Sequence, residues 1–405
     1  MIADEVKKEF TEHVIPFWEN LRDDEYGGYY GYLDFELNLD KKAVKGCILN
    51  SRILWFFANA YMVFKKEEYL DHARHAYEFM KRACFDDECG GVYWSVTYDG
   101  KPDDTTKHTY NQAFAIYALS SYYAVSSDKE ALDRAYMLYH VIEEKCRDEG
   151  GYLEAFTREF KPESNEKLSE NGVEATRTMN TLLHVFEAYT ELYRVSGAKD
   201  ESGKTVLNEA DEVADKLKEM LDIFAEKMYN PEKHRQEVFF DHEYNSLIDL
   251  YSYGHDIETA WLIDRGLEVL EENDAADWER YAGLLHPITE DLTAEVYKEA
   301  FTENGMPAEC CEGVVDQSRV WWVQAETVVG FYNGYQRTAK KEYLEAVKTE
   351  WDFIKNNLID KREGSEWFYE VTPEGEPESR KPIVEPWKCP YHTGRMCFEL
   401  IRRQS

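Results

Sequence analysis

A phrase of acidic residues, two glycines and then aromatics recurs along this chain, and it limits the possible folds more than any other feature. It first reads Asp24-Glu25-Tyr26-Gly27-Gly28-Tyr29-Tyr30. It returns as Asp87-Glu88-Cys89-Gly90-Gly91-Val92-Tyr93-Trp94, as Asp148-Glu149-Gly150-Gly151-Tyr152, and more weakly as Glu363-Gly364-Ser365-Glu366-Trp367-Phe368-Tyr369. Two degenerate members, Glu237-Val238-Phe239-Phe240 and Glu303-Asn304-Gly305, fit between the third copy and the last. Self-similarity at a fixed period marks a repeat architecture rather than a string of unrelated domains.

Between the phrases lie paired helical patterns. Cys47 to Phe64 is apolar on several faces, as a buried helix is, and Tyr69 to Cys84 is amphipathic. The same order recurs in Thr109–Val125 with Lys129–Lys145, Arg177–Val195 with Gly203–Met228, Asp256–Leu270 with Trp278–Phe301, and Arg319–Arg337 with Tyr343–Leu358. A last buried helix from about His392 pairs with the first, Ile2–Leu21. Six hairpins whose chain ends complete each other predict an all-α fold, an (α/α)6 barrel, with residues 1–405 as one domain.

The charge balance narrows the partners. Lys and Arg number 47 against 81 Asp and Glu, a formal net charge of −34. Such a surface repels phosphate backbones and anionic membranes, so neither nucleic acid nor membrane is an expected partner. The N-terminus carries no apolar signal core, no apolar run approaches the ~20 residues that span a bilayer, and the eight cysteines show no metal or disulfide spacing. The expectation is a cytoplasmic monomer with neutral small-molecule partners.

In a closed ring the inner helices start at one mouth, and polar exceptions gather at those starts. They are Arg52, Tyr110 with Asn111, then Arg177, Asn180 and His184 read as one helical face, then His255 and Glu258. Arg319, Trp322 and Glu326 follow as another face, and Trp387 and His392 open the last helix. Each has a plain alternative: His184 as a bonded core histidine, Arg52 with Glu326 as a buried ion pair, Trp322 and Trp387 as core. His108 stands near the mouth without a decided role. Zinc spacings, phosphate-binding glycine loops and the GxSxG elbow are absent from the sequence.

The segments His108-Thr109-Tyr110-Asn111, Thr178-Met179-Asn180 through His184, and Ser252-Tyr253-Gly254-His255-Asp256-Ile257-Glu258 carry a resemblance. Trp321-Trp322-Val323-Gln324-Ala325-Glu326 and Pro386-Trp387-Lys388-Cys389-Pro390-Tyr391-His392 complete it. From about Phe17 to Arg395 the chain resembles the N-acylglucosamine 2-epimerase superfamily, and within it the bacterial cellobiose 2-epimerases. The poorest match is the Cys310–Asp316 loop. The resemblance implies an (α/α)6 barrel and inversion at C2 of the reducing-end glucose of a β-1,4-linked disaccharide, with no cofactor and no metal. It implies His255 and His392 as the acid/base pair, His184 in ring opening or proton movement, Arg52 against the enediolate and Glu258 tuning a histidine. Tyr110, Asn180, Trp322, Glu326 and Trp387 would hold the sugar. Other readings are an N-acylglucosamine 2-epimerase or mannose isomerase acting on monosaccharides, and an inverting glycoside hydrolase using Glu258 and Glu326. The hydrolase needs two carboxylates ~6.5–9.5 Å apart and leaves the histidines unused.

Overall fold

The computed structural model describes residues 2–165, 171–198 and 209–404. Six turns in it are built alike. The side-chain oxygens of Asp23, Asp86, Asp148, Asn230, Thr302 and Asp360 each accept the backbone N–H two residues on, at 2.8–3.2 Å. These are the recurring phrases, and this local bond lets the chain turn without leaving a donor unpaired. The fourth copy is anchored at Asn230, earlier than the Glu237 expected from the sequence, because an asparagine there replaces the acid that made the other copies readable. Gly28 shows why glycine belongs in the phrase: its φ is +68°, and a Cβ would lie 2.6 Å from the Phe79 ring.

In chain order the helices are α1 (Ile2–Glu9), α2 (Ile15–Glu19), α3 (Cys47–Phe64), α4 (Glu67–Phe79), α5 (Thr109–Ser126), α6 (Lys129–Lys145) and α7 (Met179–Ser196). They continue as α8 (Glu209–Ile223), α9 (Tyr253–Glu272), α10 (Trp278–Glu299), α11 (Trp321–Thr338), α12 (Lys341–Phe353) and α13 (Pro390–Arg403). A five-residue π-turn joins α1 to α2, and others extend α4, α8 and α12. Of the expected Gly203–Met228 helix, the part before Glu209 lies outside the described residues.

Two-residue antiparallel strand pairs precede the buried helices. Lys45–Gly46 pairs with Ser95–Val96, Lys107–His108 with Ala155–Phe156, Arg177–Thr178 with Phe239–Phe240, and Arg319–Val320 with Glu370–Val371. Arg177 and Arg319 therefore lie on strands and do not share a helical face with the residues that follow. Spacing alone carried the helical period past the true helix start.

Contacts divide the chain into two compact units. The first comprises Met1–Thr105, Ala300–Glu309 and Val315–Ser405. In it α3 pairs with α4 and α11 with α12, while α13 packs on α1, α3 and α11. The last helix thus partners the first, as the chain ends predicted. Gly394 permits the approach of α13 to α3, since a Cβ there would lie 2.6 Å from Phe56. By length and composition α3 could cross a membrane, but it is 78% buried and serves as a core helix of this unit. Lys45 and Lys388 are fully buried at the feet of α3 and α13, paired with Asp23 (2.5 Å) and Glu366 of the turn phrases.

The second unit comprises Thr106–Glu299 and Cys310–Val314. Its hairpins are α5 with α6, α7 with α8 and α9 with α10, and the apolar helices α5, α7 and α9 lie side by side in that order. Arg177 ties the Asp148 turn to the foot of α7, donating to Asp148 Oδ1 at 2.6 Å and to the Tyr152 carbonyl at 3.2 Å.

Candidate active site

In the first unit the apolar helices α3, α11 and α13 each bring a charged group into the interior. Arg52 of α3 is 2% exposed; its guanidinium lies over the Tyr391 ring, 4.8 Å from the centroid, with Nη1 3.7 Å from Cys389 Sγ. Glu326 of α11 is fully buried. Its Oε1 meets His392 Nδ1 at 2.8 Å and Arg395 Nη2 at 2.7 Å, both from α13. Two cationic or donor groups on one carboxylate compensate the cost of burying it. Trp322 sits beside this group, its ring 5.5 Å from that of His392, and Trp387 packs edge-on against Trp94 at 5.5 Å. Both tryptophans remain half-buried, so their faces keep an accessible part.

In the second unit the cluster sits on α5, α7 and α9. His184 of α7 is 2% exposed, and its Nδ1 lies 2.9 Å from Glu187 Oε2 one turn along. Tyr110 and Phe114 of α5 pack on its ring at 5.0 and 4.9 Å. The amide oxygen of Asn180 is sealed from solvent and, among the described residues, finds no hydrogen-bond partner. Such an acceptor suits a hydroxyl brought by a ligand. On α9, His255 has Nδ1 2.7 Å from Ser252 Oγ, and Glu258 is fully buried. His255 keeps one accessible edge, yet desolvation holds its pKa down to about 3, and the nearby His184 adds to the effect. It rests as a neutral imidazole at ordinary pH.

Below this cluster Glu154 fixes the start of α7, accepting from Thr178 N at 2.7 Å and Thr181 Oγ1 at 2.6 Å. Asp256 fixes the start of α9, accepting from Gln236 Nε2 at 3.0 Å. Burial pushes both carboxyls up to about 7.

The model of one protein family, N-acylglucosamine 2-epimerase, matches residues 16–394. The chain belongs to that family. Cellobiose 2-epimerase of Eubacterium cellulosolvens is 51% identical over 98% of this chain and 97% of its own length. A solved sugar epimerase from a ruminal bacterium superposes with a TM-score of 0.93 at 49% identity, covering all of both chains. A solved cellobiose 2-epimerase from Bacillus thermoamylovorans B4167 gives 0.90 at 43% identity over 99% of each chain. The fold class of this epimerase family is the all-α (α/α)6 class expected from the repeats.

Of the residues singled out from sequence, Arg52, Trp322, Glu326, Trp387 and His392 fall in the first unit's cluster or beside it. Tyr110, Asn180, His184, His255 and Glu258 fall on the three apolar helices of the second. Arg177 and Arg319 belong to neither set: Arg319 donates to the Asn304 carbonyl at 2.8 Å and, like Arg177, fastens a turn to a strand. His108 is buried on the strand that leads into α5. His13, His140, His234, His242 and His286 each face a carboxylate, while His72 and His75 bond Tyr29 and the Gly28 carbonyl, which fits their reading as surface or packing residues. Sequence reasoning missed Glu187, Ser252, Arg395 and Tyr391. The first three stand three residues from His184, His255 and His392 respectively, a helical-neighbour spacing that was open to view.

Proposed function

We propose that this epimerase-family chain is a cellobiose 2-epimerase, interconverting the reducing-end glucose of a β-1,4-linked disaccharide with mannose. The substrate reading is supported by the relatives of about half identity that carry that name across nearly their whole length. The observation that carries the reaction class is the set of interior histidines whose Nδ1 atoms each meet an oxygen, of Glu187, Ser252 and Glu326. That arrangement orients each ring through Nδ1 and assigns the proton transfer to Nε2.

The reaction must open the pyranose ring, remove the C2 proton beside the aldehyde, and return a proton to the opposite face. His255 and His392 serve as the acid/base pair, one for each face. His184, backed by Glu187, assists ring opening and moves a proton between O1 and O2. Arg52 stabilises the negative charge that develops on the enediolate oxygen, a preorganised cation whose guanidinium Tyr391 and Cys389 already hold. Glu326 orients His392, and Glu258 orients a neighbouring histidine. Asn180 accepts a sugar hydroxyl, Tyr110 and Trp322 line the reducing unit, and Trp387 offers a face to the non-reducing one. Proton transfer completes the cycle, so no cofactor is needed and activity survives treatment with EDTA. The eight cysteines, none of them in a disulfide, suit work in the cytoplasm, and the chain acts as a monomer that elutes at one chain's mass.

Product analysis tests this. Cellobiose incubated with the protein should yield β-1,4-glucosyl-mannose. A ketose as main product, free glucose, or turnover only of N-acetylglucosamine or mannose would overturn the disaccharide epimerase reading.

A further inference from the structure

Ser252 stands immediately before the first turn of α9, a place where a serine ordinarily accepts a backbone N–H from that turn. Thr178 does so ahead of α7, taking Thr181 N at 3.0 Å, and Asp128 does so ahead of α6, taking Glu130 N at 3.0 Å. Among the described residues Ser252 makes no cap bond of this kind. Its hydroxyl lies instead 2.7 Å from Nδ1 of His255, and the serine is 4% exposed. The helix start thus forgoes its usual cap in favour of one imidazole.

We propose that Ser252 is a positioning residue of the epimerase reaction, accepting a hydrogen bond from Nδ1–H of His255 so that Nε2 is the atom carrying the travelling proton. The inference rests on the reading of His255 as one of the acid/base groups. A ring that cycles through Nε2 between neutral imidazole and imidazolium must keep its Nδ1 proton in both states. With the proton on Nε2 alone, giving it up would demand an imidazolate. At His184 and His392 a carboxylate enforces Nδ1–H, because an ionised carboxylate can only accept. At His255 a neutral hydroxyl takes that place.

The difference has a chemical consequence. A carboxylate behind a ring favours imidazolium, whereas a hydroxyl orients the ring without that electrostatic pull. Burial holds His255 neutral at rest, so a proton taken at Nε2 is returned readily. The two rings are thus held by different chemistry: a carboxylate stands at Nδ1 of His392 and a hydroxyl at Nδ1 of His255.

Nitrogen-15 NMR of histidine-labelled protein at neutral pH tests the tautomer directly, with the His255 signals assigned by their loss in His255→Gln. The wild type should show His255 protonated at Nδ1, and Ser252→Ala should move protonation toward Nε2. In Ser252→Ala kcat should fall about tenfold to a hundredfold while KM stays within about twofold, a loss on the scale of acid–base catalysis. Ser252→Thr, which keeps the hydroxyl, should restore most of the rate, and Ser252→Gly, tolerated at helix starts, should repeat the alanine result. A wild-type His255 protonated at Nε2, or a Ser252→Ala enzyme with unchanged kcat, would overturn the role of Ser252 and leave His255 as an acid/base group. Full activity in His255→Gln would instead remove the reading beneath it.

Discussion

The orientation of a histidine in an apolar helix is decided by a residue about one turn away or on a neighbouring helix that meets one of its ring nitrogens. Glu326 does this for His392 and also holds Arg395, which is 1% exposed and bonds Tyr391. Glu326→Gln should therefore cost both rate and stability. Removing one charge of this buried pair costs about 3–5 kcal/mol, read as a lower urea midpoint, and kcat should drop about a hundredfold with the loss of the proposed oriented base. A stable Glu326→Gln enzyme with normal kcat would show that the carboxylate neither orients nor compensates. At this scale the histidines, Arg52 and Glu326 were legible, because a polar residue inside an apolar run is visible in a single sequence. Glu187, Ser252 and Arg395 were not read, since helical spacing says which residues can meet but not which rotamers make them do so. Arg177 and Arg319 were misplaced by the reverse error: a period of three to four continues on paper across a helix start that a strand pair interrupts.

At the scale of elements, the repeating phrase makes a turn whose acid holds the next helix, as Asp23 holds Lys45, Asp148 holds Arg177 and Glu366 holds Lys388. The fourth and fifth copies were hard to place because Asn230 and Thr302 make the same turn bond without the acidic signature. The amphipathic helix α12 carries a buried titratable group of its own. Glu350 of α12 is fully buried, both its oxygens lack hydrogen-bond partners among the described residues, and desolvation pushes its pKa up to about 8 against a weaker pull from Arg319. In the unfolded chain the group titrates near the ordinary carboxylate value. The folded form thus binds the extra proton between those two values, and its contribution to stability is full below about 4.5 and lost as pH rises toward 8. Relative to wild type, Glu350→Gln should gain stability across that window by at most about 1.4 kcal/mol per pH unit. Urea unfolding of both proteins at pH 5 and pH 8 measures it; a constant difference would mean that Glu350 does not titrate abnormally. Lowering the pH also tests the neutral His255, whose depressed pKa means that the unfolded chain binds the proton first. Its contribution is full above about 6.5 and is lost as pH falls toward 3, a slope that His255→Gln should remove.

For the whole molecule, a net charge of −34 is consistent with the neutral sugar substrate and the proton-transfer reaction proposed above. The repeat made the all-α class readable before any coordinate, because hairpins of one apolar and one amphipathic helix can bury themselves only against one another. The preference for a disaccharide was legible only through resemblance, since the residues proposed to deprotonate C2 would serve a monosaccharide equally well. The central claim is that a proton leaves C2 and another returns to the opposite face through side chains that exchange with solvent. Proton NMR of cellobiose turned over in D₂O tests it directly. The account predicts glucosyl-mannose bearing deuterium at C2, with the label absent when His392→Gln or His255→Gln replaces the wild type. Glucosyl-mannose formed with its original C2 hydrogen in place would contradict the account.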